Sequence, residues 1–135
     1  MTKYLLDTNV VSELRKRKPH KSVVAWIQAA PDESLYVSAV TVGEIQAGIE
    51  ITRKQDPVKA KEIELWLDGV EQSYGVLPAD AAIFRRWAQL MHRRPDHHLE
   101  DALIAATALV RGLTVVTRNV DDFEPFDAPL INPFT

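Results

Sequence analysis

Four segments of this 135-residue chain set acids at the edge of apolar runs. In KYLLDTNVVSEL the run Tyr4-Leu5-Leu6 ends in Asp7. VSAVTVGEIQAGI carries Glu44, LEDALIAATALV carries Glu100 and Asp101, and VVTRNVDDF carries Asp121 and Asp122. Carboxylates brought together repel and raise one another's pKa values, so such a cluster persists mainly where a cation neutralises it. Oxygen donors in a chain without Cys select a hard ion, Mg²⁺ or Mn²⁺.

Each acid also has a simpler role. Asp7 can cap a helix by accepting from its unpaired N–H groups. Thr41-x-x-Glu44 has the form of a capping box. Asp101 favours a helix N-terminal dipole, and Asp122 can stabilise a turn. One such coincidence is cheap, and four meeting at one sheet edge are not.

The elements that must position these acids follow from periodicity. Lys3–Leu6, Leu35–Ser38, Val76-Leu77 and Thr114–Thr117 read as strands, with Pro129–Ile131 as a short edge strand. Helices are expected over Asn9–Arg15, His20–Ala30, Thr41–Arg53, a segment opened by Pro57, one capped by Asp80, and Leu99–Val110. Strands alternating with helices imply a three-layer α/β/α fold with a parallel sheet covered on both faces. Sites in such folds form at the carboxyl ends of the strands, near the switch in strand order. Ile63, Trp66, Leu67 and Val70 form an apolar stripe that serves either the core or a homodimer surface.

Composition narrows the classes. The length suits a single domain over 1–135, with 46% hydrophobic residues to fill a core. No apolar run is long enough to span a membrane, and the N-terminus enters the first strand without a basic-then-apolar leader. A cytoplasmic location is therefore expected. The net charge of −3 gives no bulk support to nucleic-acid binding, although Arg15-Lys16-Arg17-Lys18, Arg85-Arg86 and Arg93-Arg94 are local basic clusters. Neither GxGxxG nor GxxxxGK[ST] occurs, which removes the anchors of dinucleotide and P-loop sites. Asn9 stands where an aspartyl phosphatase would need a second Asp, and a receiver domain's paired acids and Lys are not visible. His97-His98 looks like a metal pair, but adjacent side chains on a helix diverge by about 100°.

Taken together, YLLDTNVVSEL, VSAVTVGEIQAGI, LEDALIAATAL and VVTRNVDDFE resemble the four acidic motifs of PIN-domain nucleases. The likeness is to the VapC and FitB group of toxin–antitoxin toxins, over essentially the whole chain. The resemblance implies a five-stranded parallel sheet and a Mg²⁺- or Mn²⁺-dependent endoribonuclease that leaves a 5′ phosphate. It implies Asp7, Glu44, Asp101 and Asp122 as catalytic metal ligands, with Thr8, Asn9 and Asn119 as orienting polar residues. Lys16, Arg17, Lys18 and Arg118 become candidates for drawing in RNA. A small DNA-binding antitoxin and a homodimer are the implied partners. The alternative is a PIN-like subunit that serves mainly as a dimeric partner in an antitoxin–operator DNA repressor complex.

Overall fold

The computed structural model describes residues 1–92 and 98–135; Arg93, Arg94 and His97 lie outside the described residues. Strands β1 (Tyr4–Leu6), β2 (Leu35–Ser38), β3 (Gly75–Leu77), β4 (Thr114–Val116) and β5 (Leu130–Ile131) form one sheet. All pairings are parallel, in the order β3-β2-β1-β4-β5. Helices α1 (Thr8–Glu13), α2 (Lys21–Ala29), α3 (Ala39–Gln55) and α4 (Pro57–Ser73) follow the first two strands. After β3 come α5 (Ala81–Met91), α6 (Leu99–Arg111) and α7 (Val120–Phe123).

The period-2 alternation of the strands divides the core into two layers. Leu6 and Val116 face a cluster built with Val10 and Val11 of α1, Val23 of α2, Ile49 of α3 and Leu67 of α4. Their neighbours Leu5 and Val115 point the other way, against Ala102, Ile104 and Ala105 of α6 and against Phe123 and Phe126. Complete burial of a Leu or Phe contributes roughly 1.5–3 kcal/mol, so these paired positions fix the sheet between its helices. Alanines on α6 let that helix sit close to the sheet. Gly112, at φ 70°, then supplies the left-handed residue that ends it.

Helix α3 begins two residues earlier than its periodicity suggests. The Ser38 hydroxyl accepts from the Val40 N–H at 3.0 Å and caps the helix, which leaves Thr41 buried inside the first turn. The capping box of Thr41 and Glu44 therefore does not form, and the Glu44 carboxylate is released for other contacts. The stripe on α4 goes to the core: Leu67 and Val70 are buried, with Ile63 and Trp66 packed against the same cluster. The large apolar side chains left exposed on α3 and α4 are Ile51, Val58 and Leu65.

In this strand order β1 is followed on one side by β2 and on the other by β4. The crevice beyond the carboxyl ends of β1 and β4 is thus the topological switch point.

Candidate metal centre

Asp7 stands at that crevice because it is the first residue after β1. Its backbone N–H continues the ladder by donating to Val116 O of β4 at 2.9 Å. The register pairs Leu6 with Val116, so the next residues along, Asp7 and Thr117, meet side by side. The Thr117 hydroxyl donates to Asp7 Oδ2 at 2.9 Å, and Asn9 Nδ2 donates to the same oxygen at 3.2 Å. The Thr8 N–H donates to Oδ1 at 2.8 Å. Asp7 is thus both the cap of α1 and a carboxylate fixed from several sides, with only 4% of its surface exposed.

Thr117 is itself held. Its oxygen accepts from the Asn119 N–H at 3.0 Å and from Asn9 Nδ2 at 3.3 Å, while Asn9 Oδ1 accepts from the Arg118 N–H at 3.2 Å. Asn9 therefore ties the end of β1 to the loop after β4. Asn119 contributes only its backbone, and its side chain caps nothing on α7. The side chain of this loop that bonds Asp7 is the Thr117 hydroxyl, and no such bond is made by Asn119. In VVTRN that Thr reads only as the end of a β-branched strand, and the register with β1 sets its hydroxyl beside Asp7.

Glu44 comes to the crevice from the first turns of α3. Its Oε1 accepts from the Thr8 hydroxyl at 3.0 Å, and that hydroxyl lies 3.0 Å from Thr41 Oγ1. Thr8 thus links the first acid's segment to the second's. Asp101 sits in the first turn of α6, and Asp122 in that of α7. Ligand atoms of His98, Asp101 and Asp122 all lie within 4.8 Å of one another, and His98 Nε2 is 3.5 Å from Asp122 Oδ1. From the sequence alone His98 is discounted together with His97, because adjacent side chains on a helix diverge. It is the residue before α6, where its ring turns toward the acids.

The electrostatics agree with crowding, though burial leads. The Asp7 pKa is raised chiefly by desolvation, opposed by the Thr117 and Thr8 hydrogen bonds and assisted by the charge of Asp122. Glu44 is raised by desolvation, against the Thr8 hydrogen bond, with Asp7, Glu100 and Asp101 adding repulsion. Asp101 is pushed up to about 6, first by desolvation and then by Asp7, while His98 acts in the opposite direction. Repulsion was the cause expected from the sequence, and it takes second place to desolvation. The charge of Asp7 raises both Glu44 and Asp101, and that of Asp122 raises both Asp7 and Asp101, so these acids lie within electrostatic reach of one another. Among the described residues only Asp101 and Asp122, with His98, form a group with ligand atoms within 4.8 Å of each other.

These donors fit a hard divalent cation: carboxylates from four segments, a nearby imidazole, and one carboxylate already oriented by protein donors. Glu100 precedes Asp101 on α6 and is exposed; it acts on the centre as a further charge. Asp121 is exposed and falls outside the cluster of His98, Asp101 and Asp122.

The basic candidates divide. Arg118 lies on the loop beside Thr117, its guanidinium 4.6 Å from the centre of the Phe134 ring. Lys16, Arg17 and Lys18 lie beyond the far end of α1, about 9 Å of helix from Asp7. Lys16 pairs there with Glu13 at 2.8 Å. Arg15, the first residue of that basic run, instead shares a cavity of about 270 Å³ with Thr8 and Glu44.

A parallel α/β domain with an acidic, oxygen-rich centre at its switch point defines the class. Residues 4–128 match the PIN domain, and the chain belongs to the PIN domain family. The chain is 34% identical to Toxin FitB of Neisseria gonorrhoeae (strain ATCC 700825 / FA 1090), over 96% of this chain and 97% of that protein. It is 36% identical to VapC ribonuclease Y4jK of Sinorhizobium fredii (strain NBRC 101917 / NGR234), over 96% of each. Among solved structures, DNA-bound VapBC from Salmonella typhimurium superposes with a TM-score of 0.81 at 25% identity, over 98% of both chains.

Proposed function

We propose that this chain is a Mg²⁺- or Mn²⁺-dependent endoribonuclease and the toxin of a toxin–antitoxin pair. One observation supports the reading: Asp7, Glu44, Asp101 and Asp122 come from four separate segments and bear on one another's charge near the switch point. A scaffold has no need of mutually repelling acids there, whereas relatives bearing the names toxin and ribonuclease support a nuclease. Among the described residues no helix is long and apolar enough to cross a membrane. A cytoplasmic site of action suits an RNA substrate.

Asp7, Glu44, Asp101 and Asp122 would hold the cation, which would lower the pKa of an attacking water and offset charge on a cleaved phosphodiester. Asp7 needs no reorganisation to do so, because Thr117, Asn9 and Thr8 already aim its oxygens. Arg118 on one side and Arg15 on the other supply cations that draw the backbone phosphates toward an otherwise acidic centre. Single-stranded or looped RNA suits the open crevice, since its bases and backbone are accessible.

The partner is a small DNA-binding antitoxin, and the working unit a homodimer. The DNA-bound VapBC neighbour supports a second role beside catalysis, in which the chain joins its antitoxin on operator DNA. Induced expression followed by sequencing of RNA ends separates the two. Discrete new 5′ ends with the wild type and none with Asp101→Asn support the nuclease. Identical end profiles for both would leave only the repressor role.

A further inference from the structure

Beside the acidic centre lies a second cavity, of about 360 Å³, lined by Arg118, Asn119, Val120, Asp121, Asp122 and Asn132. Its size falls at the lower end of ligand pockets, roughly 300–1,000 Å³, and Asp122 forms a wall common to it and to the acidic centre. Its lining is polar and of mixed character. The Asn119 side chain has no hydrogen-bond partner among the described residues, and its amide offers two donors and an acceptor. Asn132 uses Oδ1 to accept from the Phe134 N–H at 2.9 Å, which leaves its amide N–H groups for a ligand. Arg118 is exposed and braced from behind by Phe134, whose own ring packs at 5.3 Å from that of His20.

Asp121 decides what this cavity accepts. A carboxylate opposes a phosphate but accepts well from the N–H groups of a base edge. Guanine is the base that presents a pair of N–H donors, at N1 and N2, on one edge and acceptors, O6 and N7, on another. Asp121 matches the first edge, and the amides of Asn119 and Asn132 match the second. The Arg118 guanidinium adds a planar cation for stacking.

We propose that this cavity binds a guanine base of the RNA, adjacent to the bond that is cut, and so sets where the chain cleaves. The inference rests on the nuclease reading for its role in cleavage, but not for the binding itself.

Binding is therefore tested without catalysis. The four 5′-ribonucleoside monophosphates and ribose 5-phosphate are titrated singly into the metal-free full-length protein, with NMR of the Asn119 and Asn132 side-chain amides as readout. Guanosine monophosphate is expected to shift both signals saturably, at least fivefold more tightly than the other three, with ribose 5-phosphate inactive. The Asp121→Asn variant places a donor where guanine also donates. It should lose that preference and gain affinity for xanthosine monophosphate, whose C2 carbonyl accepts instead. No shift with any nucleotide, or equal shifts with ribose 5-phosphate, overturns the proposal.

Cleavage of a random-sequence RNA pool supplies the second arm. Wild type should enrich guanine at one position flanking the cut, and Asn119→Ala should flatten that position alone, since the backbone bond from Asn119 to Thr117 survives. An unaltered profile in Asn119→Ala overturns the proposal even if nucleotide binding is seen. Selective guanine binding in a protein that cuts no RNA supports the pocket and refutes the nuclease reading instead.

Discussion

The two halves of the acidic centre are built differently. On the β1 side, Asp7 is buried and its oxygens accept from Thr8, Asn9 and Thr117. On the α6–α7 side, Asp101 and Asp122 are half-buried at the starts of two helices, with His98 as their neighbour. Donors hold down the cost of charge on Asp7, and the Asp101 pKa climbs to about 6. One half is fixed by the protein's own donors, and the other keeps crowded acids that a cation would neutralise. The difference separates what the fold organises from what a ligand must finish.

The largest effect should come from removing a carboxylate from either half. Asp7→Asn and Asp101→Asn are each expected to lower RNA cleavage by roughly a thousandfold or more, since each withdraws a ligand from the same centre. Purified variants with circular dichroism matching wild type make the comparison clean. Robust cleavage by one of them would assign the chemistry to the other half alone.

Chelation should come next. EDTA is expected to abolish cleavage, and Mg²⁺ or Mn²⁺ to restore it. Either ion should also raise the melting temperature of the wild type by binding the folded state alone. That rise should shrink in Asp101→Asn. Full activity in EDTA would remove the cation from the mechanism.

A smaller effect probes the fixed half by itself. Thr117 is fully buried, and Thr117→Val keeps its shape while deleting the hydroxyl that donates to Asp7. The Asn119 N–H and Asn9 then lose an acceptor, so stability should fall by about 1–3 kcal/mol. Cleavage should drop by roughly 10–100-fold, as for other residues that orient a metal ligand. Partial rescue at high Mn²⁺ distinguishes a loosened ligand from a merely weakened fold. A variant with wild-type cleavage and metal response would leave Thr117 a structural residue.

The same contrast explains what the sequence made legible. The positions of Asp7, Glu44, Asp101 and Asp122 at strand and helix ends were readable because each borders an apolar run whose period marks a strand or helix, and the strand–helix alternation dictates where strand ends gather. Thr117 was not, because a Thr at the end of Thr-Val-Val reads as a β-branched strand former until the register sets it beside Asp7. His98 was discounted by an argument about adjacent side chains on a helix, although the expected helix began at Leu99 and left His98 outside it. Ser38 and Thr41 are both good caps in the sequence, and only the burial of Thr41 shows which one opens α3. Periodicity locates residues on elements, and pairing between elements decides what they touch.

The smallest predicted effect tests the unfinished half. By charge alone, Asp7→Asn is the natural way to relieve repulsion in the metal-free protein. Its structure argues otherwise, since an amide there would oppose its own N–H groups to those of Asn9 or Thr8. Asp101 is the better site. Its pKa is about 6 in the folded protein against an ordinary 3.8, so the folded state binds the proton more tightly than the unfolded one. That contribution to stability is complete below pH 3.8 and is lost as pH rises through about 6. At pH 7 the wild type therefore carries a penalty that Asp101→Asn lacks, on the order of 1 kcal/mol after allowance for solvent screening. Replacement of a charge in the first turn of α6 forfeits about 0.3–1 kcal/mol of dipole interaction, so the net gain is small. The sharper quantity is the change with pH. In EDTA the melting temperature of Asp101→Asn relative to wild type should rise between pH 4 and pH 7, because Asp101 is protonated at the lower value and charged at the higher. A difference that stays constant across that range would show that neither burial nor neighbouring charge perturbs Asp101, and that the α6–α7 half is as settled without a cation as the β1 half.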